Sequence, residues 1–419
     1  MKLTTRIQLS FLMFLEFFIW GAWYTTIGVY MTKHDMGKLT HWPFTVNPIA
    51  AIVAPFFIGL IADRYFATQK VLGTLHILGA VFMFLTPAAT GHPVVFILLL
   101  LAYNICYMPT IGLANTICFF KMASQEKQFP LIRVFGTLGW IVAGLVISFV
   151  LSHFAGDNMK AEETAMPLYM TAAASLLLGL YSFSLPNTPP AGAGKKVSAR
   201  SIIGVDALKQ LGSPSFYIFL ASSFLICIPL AAYYNFTQIF LDGAHYKNIA
   251  ATQTLGQVSE TLFMILMPLF FARLGVKYML AAGMLAWVLR YVLFALGAPE
   301  LVNWMILTGI ALHGICYDFF FVTGQIYIDT KATPEIRGQA QGLILFVTYG
   351  VGMLVGAQIA GVVYDGFLKT APSLTLLQWQ QFWWIPAIFA AAVLLLFIVS
   401  FRERKKTAQS VAAVPAEFN

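Results

Sequence analysis

What this chain has least of is charge. Asp, Glu, Lys and Arg together supply 10% of its 419 residues, while hydrophobic residues supply 59%; an average soluble domain carries roughly 25% charged residues. That balance, with a mean hydropathy of +0.78, excludes an ordinary soluble fold and implies a polytopic membrane protein. Cysteine is scarce too. Cys106, Cys118, Cys227 and Cys316 each fall inside an apolar run and at no metal-ligand spacing, so neither a disulfide framework nor a zinc site is implied. There is no glycine-rich loop of the phosphate-cradling kind and no serine elbow, which argues against an ATP-driven pump and a membrane hydrolase. Neither covalent chemistry nor a metal or cofactor is expected. The net charge is +8, but the basic residues form no continuous stripe, so nucleic acid is not an expected partner.

What is present is a series of apolar runs approaching the roughly 20 residues that cross a bilayer. Twelve can be drawn, at 8–30, 43–62, 71–89, 94–119, 130–152, 166–185, 214–241, 250–272, 278–296, 302–328, 338–363 and 380–401. The first follows Lys2 and Arg6 but is too long for a signal peptide and has no cleavage site after it, so it is expected to remain in the mature protein. Lys and Arg alternate between loops. With both termini inside, 18 of the 25 basic residues are cytoplasmic and only Lys33, Lys38, Lys160, Lys247 and Lys369 are outside, which predicts cytoplasmic termini. Trp379, Trp383 and Trp384 then form an outer aromatic belt.

The longest polar interruption, 186–213, contains PNTPPAGAGKK and then apolar residues at Ile202, Val205, Leu208 and Leu211. It reads as a cytoplasmic linker followed by a short interfacial helix, dividing a bundle at 1–185 from one at 214–401, with a cytoplasmic tail at 402–419. The bundles echo each other: Pro130-Leu-Ile-Arg133 opens the fifth run as Pro334-Glu-Ile-Arg337 opens the eleventh, and Arg64 aligns with Arg273. The predicted fold is all-α, twelve transmembrane helices in two six-helix pseudo-repeats, with a site between them near the midplane.

Polar residues inside the runs mark that site, because lipid penalises them heavily. Glu16, Trp20 and Trp23 share one helical face, either as a cavity wall with a titrating acid or as a buried acid among packing indoles. Tyr103, Asn104, Tyr107 and Thr110 suit a ligand or other helices equally. Arg133, Thr137 and Trp140 lie on one face, with Gly136, Gly139 and Gly144 permitting close approach; Arg133 also lies near enough to the inner end to snorkel. Tyr233, Tyr234, Asn235, Thr237 and Gln238 cluster in the outer third of the seventh run, and Gln253, Gln257 and Glu260 form a stripe on the eighth. The tenth run carries His313, Tyr317 and Asp318. His313 serves as a ligand group or as a satisfied hydrogen bonder, whereas Asp318 lies at a depth like that of Arg133 in the opposite half. A buried charge requires a partner in at least one state, so an Asp318–Arg133 pair is expected to close the inner side when the cavity faces outward.

The segment Gly59-Leu-Ile-Ala-Asp63-Arg64 resembles the loop between helices two and three of the major facilitator superfamily. FIWGAWYTT (18–26), YMPTIGLANTI (107–117), FPLIRVFGTLGW (129–140), GQVSETLF (256–263) and YDFF (317–320) resemble, in order and spacing, the bacterial nucleoside:proton symporter family. The resemblance implies proton-coupled uptake of nucleosides by alternating access, in a bacterial inner membrane and as a monomer, with the bilayer as its other partner. It implies substrate contacts at Arg133, Thr137, Trp140, Gln257 and Glu260. Trp140 stands where the family usually has Phe, Glu16 where an amide is expected, and Ala231 and Tyr234 near the family's ligand-contacting amides, for which Asn235 and Gln238 are the candidate substitutes. The expected binding set is therefore Trp20, Arg133, Thr137, Trp140, Tyr234, Asn235, Gln238, Gln257, Glu260, His313 and Tyr317, with Asp318, Glu260 and Glu16 as proton-coupling candidates. The alternative is a same-fold symporter for another polar ring solute such as a glycoside or sugar. A non-transporting sensor fits less well, since ERKKTAQSVAAVPAEFN is too short for a signalling domain.

Overall fold

The computed structural model describes residues 2–57, 66–122, 125–156, 159–190, 204–333, 336–369, 371 and 373–402, and among these no strand occurs. The segment through Asp63 and Arg64, the linker positions through Ile202, Pro334 of the repeat and the tail from residue 403 lie outside the described residues. The helices are α1 (Leu3–Tyr24), α2 (Ile27–Lys33), α3 (Trp42–Phe57), α4 (Thr68–Leu85), α5 (Pro93–Lys121), α6 (Gln125–Leu145), α7 (Met166–Ser182) and α8 (Val205–Gln210). They continue with α9 (Pro214–Gly243), α10 (Ile249–Gly297), α11 (Asn303–Ala311), α12 (His313–Tyr317), α13 (Thr323–Lys331), α14 (Arg337–Leu345), α15 (Met353–Leu368) and α16 (Leu376–Ser400).

Nine described helical stretches are long and apolar enough to cross a membrane. One of them, α10, makes two crossings. Gly275 breaks it with φ 66° and ψ 177°, a conformation open to glycine because it has no Cβ to clash. Both ends of α10 lie on one side of the molecule, since Tyr246 Oη, just before it, donates to Asn303 Oδ1, just after it, at 2.9 Å. The shorter α3 and α7 complete twelve passes. Large apolar side chains such as Ile265, Val362 and Val399 are exposed on the outer surface, where lipid replaces water as their solvent.

The tenth pass is not the continuous helix expected over 302–328. It runs as α11, α12, a five-residue π-helical segment Asp318–Val322, and α13. A second π segment, Phe346–Gly352, joins α14 to α15. Such bulges widen the helix by one residue and concentrate at functional sites. The short α8 packs one face on α14: Ala207 is fully buried, and a Cβ on Gly204 (φ 75°) would meet Gln339 O and the Leu343 side chain of α14. It packs on protein because its small residues admit another helix.

The buried core has two large clusters beside two small ones of three residues each. One large cluster draws on residues 9–185 plus Ala357, the other on residues 207–401 plus Val29. The hydrogen bonds and ion pairs seen to join these halves among the described residues cluster on the side away from the termini. Gly28 N donates to Gln238 Oε1 (2.8 Å), Gln238 Nε2 to Tyr24 O (3.1 Å), Gln253 Nε2 to Thr25 O (3.0 Å) and Gln358 Nε2 to Thr45 Oγ1 (2.7 Å). Lys33 Nζ pairs with Asp242 Oδ2 at 3.5 Å and Lys160 pairs with the other oxygen of the same carboxylate. The start of α10 is capped from across the interface. Its own N-cap, Asn248, makes no side-chain cap; instead Ala250 N donates to Glu162 Oε1 and Ala251 N to Ser148 Oγ, both at 3.0 Å, while Ser148 Oγ donates to Glu162 Oε1 at 3.0 Å. First-turn amides have no partner within their own helix, so this clasp supplies what α10 lacks.

Candidate functional site

Between the halves lies an open cavity with about 760 Å³ of atom-free space, solvent at its mouth included. From the N-terminal half, α1 contributes Phe17, Trp20 and Tyr24, α3 contributes Asn47 and Pro48, and α6 contributes Arg133, Thr137 and Trp140. The C-terminal half contributes Tyr234, Gln257, Glu260, His313, Tyr317, Tyr349 and Met353.

Glycines set these walls close together. A Cβ on Gly139 would collide with the Phe14 carbonyl, so α1 and α6 touch backbone to backbone and the Arg133 guanidinium settles 3.9 Å over the Phe17 ring. In the other half a Cβ on Gly314 would meet Ser259 O at 2.5 Å and Glu260 N at 2.6 Å, which is how the tenth pass brings His313 beside Glu260, with Nε2 3.9 Å from Oε2.

The cavity is polarised along its axis. Toward the closed side, Trp20 meets Trp140 at 5.6 Å and Tyr24 meets Tyr234 across the halves at 5.7 Å, both edge-on. Toward the termini stand Arg133 and Glu260, each within electrostatic reach of the other. Between them, Trp20 Nε1, Gln257 Oε1 and His313 Nδ1 have no hydrogen-bond partner among the described residues. Buried polar groups are normally paired, whereas three residues of the cavity lining here each carry a buried polar atom left without a protein partner among the described residues. Tyr349 Oη donates to Tyr317 Oη at 2.9 Å, tying the Phe346–Gly352 π segment to the last residue of α12 at the wall.

The cavity therefore gathers Trp20, Arg133, Thr137, Trp140, Tyr234, Gln257, Glu260, His313 and Tyr317. It does not gather Asn235 or Gln238. Asn235, about 100° round the helix from Tyr234, is fully buried off the cavity wall, and Gln238, one turn beyond Tyr234 on the same face, spends its amide on Gly28 N and Tyr24 O where the halves meet. Gln253 is likewise held by Thr25 O. Glu16 does not reach the cavity either. It is fully buried in the N-terminal half, where Thr110 Oγ1 donates to Oε1 at 2.6 Å and His76 Nε2 lies 3.1 Å from Oε2; Ser175 Oγ holds the far side of that imidazole at 3.1 Å. Asp318 is fully buried just behind Tyr317, both oxygens without a described partner. No Asp318–Arg133 pair is made in this conformation: Asp318 feels the charge of Glu260, while Arg133 lies over Phe17. Arg337, the counterpart of Arg133 in the sequence repeat, pairs with Asp329 at 3.0 Å.

Sequence reasoning missed Phe17, Tyr24, Asn47, Pro48, Tyr349 and Met353. Phe17 and Tyr24 were reachable, lying three and four residues from Trp20 on its face. Asn47, an amide inside the second run, was reachable by the rule that lipid penalises polar groups, whereas Pro48, Tyr349 and Met353 sit in apolar runs without a distinguishing signal.

The sequence pattern of the family described as Nucleoside H+ symporter matches residues 1–406. The chain belongs to that family. It is 39% identical over 406 residues to YegT of Escherichia coli K12, covering 95% of this chain and 94% of that one. It is 31% identical over 415 residues to the nucleoside permease NupG of the same organism, covering 95% and 96%. The crystal structure of a variant of the nucleoside transporter NupG superposes with a TM-score of 0.86 at 30% identity, covering 95% of this chain and all of that one. The protein is thus a multi-pass membrane transporter of the major facilitator fold and not an enzyme, and the family's substrates, a nucleoside and a proton, are what its cavity has to accommodate.

Proposed function

We propose that this protein carries nucleosides into the cytoplasm together with protons, with both termini cytoplasmic in a bacterial inner membrane, as a monomer whose halves rock about the cavity. The single observation that carries the reading is the cavity's division into an aromatic end and a charged end with unpaired donor and acceptor atoms between. The rings of Trp20, Trp140 and Tyr234 offer faces and edges for a base, and Gln257 and Glu260 offer an amide and a carboxylate for ribose hydroxyls or base edges. With cytoplasmic termini, the clasped side is external and the conformation faces inward. Asp318 and Glu260 are the proton-carrying groups: they are acids in electrostatic contact in the dry interior, and only Glu260 touches the cavity. Asp318 links that proton to the opposite half by pairing with Arg133 once the inner side closes.

The test is uptake by proteoliposomes of labelled uridine and adenosine under an imposed proton gradient, with sugars and free bases as competitors. Gradient-driven accumulation, competed by nucleosides and not by glycosides, is expected. Asp318→Asn is expected to lose accumulation and to keep exchange of internal for external nucleoside, because the amide mimics the protonated acid. Normal accumulation by that variant would remove Asp318 from coupling, and competition by glycosides alone would overturn the substrate assignment.

A further inference from the structure

The C-terminal half holds a second intramembrane cation that the transport cycle described above leaves unused. Arg290, on the second arm of α10, is fully buried. Its Nε donates to Gly309 O at 3.0 Å, and its electrical neighbours are the Cys316 thiol and the phenols of Tyr233, Tyr291 and Tyr234 rather than a carboxylate. The guanidinium carbon lies 3.9 Å from the centroid of Tyr233. Tyr233 in turn stacks on His313, centroids 5.5 Å apart and planes within 17°, and His313 reaches the cavity beside Glu260. A guanidinium, a phenol and an imidazole thus form a continuous stack from the centre of the half to the wall of the site.

A purely architectural arginine would need the bond to Gly309 and nothing more. The stack asks for a planar cation that keeps its proton, which arginine supplies and lysine does not, and an unneutralised cation in a dry interior is drawn strongly to the negative face of a ring. Tyr234 stands edge-on to the imidazole at 6.0 Å, with an interplanar angle of 79°, closing off one direction of ring rotation. We propose that Arg290 is a positioning residue for nucleoside binding: acting through Tyr233, it fixes the plane of His313 and so the direction in which the imidazole meets the ligand next to Glu260. The proposal rests on the cavity being the nucleoside site.

Binding of uridine and of adenosine, measured separately by calorimetry on the purified full-length protein, tests it through a double-mutant cycle. Arg290→Lys keeps a basic group without the plane and without arginine's hold on its proton, and Arg290→Met keeps no basic group. Each is expected to weaken binding by about tenfold in the parent and by less than about twofold when His313 is already Ala, since coupled residues are not additive. A merely structural role would lower affinity equally in both backgrounds. Equal losses, or unchanged affinity of Arg290→Lys in the parent, would overturn the proposal. Where the Arg290 variants fail to fold, Tyr233 decides. Tyr233→Phe retains the ring and is expected to bind within about twofold of the parent, and Tyr233→Leu is expected to lose about tenfold; equal behaviour of the two would overturn it. Gln257→Ala separates the two levels. If it leaves binding unchanged, the cavity reading fails and this one with it, whereas a normal Gln257 effect beside additive Arg290 and His313 effects defeats the positioning role alone.

Discussion

Glu162 reaches across from one half to cap the first turn of α10 in the other, and removing it should open the outer side. The side chain is 1% exposed and accepts from Ala250 N and Ser148 Oγ at 3.0 Å each, with Ala250 N itself buried among described residues. In Glu162→Ala the Ala250 amide, the donor from the opposite half, loses its acceptor while the halves are closed but regains water once they part. A buried donor left unpaired costs about 1–3 kcal/mol, and here the cost falls on one conformation only. The outward-open population should therefore rise roughly 5- to 150-fold. The four native cysteines are all buried, so a single cysteine replacing Thr137 in the cavity reports on access. Its labelling by a membrane-impermeant thiol reagent applied from outside should accelerate by that factor in the Glu162→Ala background, and Glu162→Gln, which keeps one acceptor oxygen, should fall between. Unchanged labelling in a folded Glu162→Ala protein would refute the idea that this contact holds the outer side shut.

Gln257→Ala should weaken nucleoside binding by about 1–3 kcal/mol, the value of one or two lost hydrogen bonds, while membrane insertion and thermal unfolding stay as in the parent; calorimetry checks both halves of the statement. Glu16→Ala should lower the thermal unfolding temperature in detergent, because His76 and Thr110 lose a buried partner at a cost of about 3–5 kcal/mol. Glu16→Gln should keep the parent's dependence of uptake on pH, and a displaced profile would return Glu16 to the coupling machinery. Gly314→Ala should cost about 1–3 kcal/mol through overpacking, since its Cβ would press on the Ser259–Glu260 backbone; nucleoside affinity equal to the parent's would show that the tenth pass does not set the position of Glu260.

Composition alone determined that this chain lives in a bilayer, because no soluble fold can hide so many apolar residues with so few charges. Polar residues at helical spacing in those runs then named most of the cavity: Arg133, Thr137 and Trp140 on α6, and Gln257 and Glu260 on α10, share faces that lipid would penalise. Periodicity fixes which face of a helix is polar, but it does not say what that face meets. Glu16 and Gln238 look like cavity groups in one dimension, yet Glu16 is spent on His76 and Thr110 and Gln238 on the backbone of the opposite half, pairings set by neighbours 60 or more residues away. Tyr349 and Pro48 carried no signal because an aromatic or a proline in an apolar run is ordinary. The capping of α10 by Glu162 and Ser148 was invisible for the same reason. Only the packing of the halves decides which buried polar group finds a protein partner and which is left for a ligand, since that choice depends on distances between helices and not on residues along one.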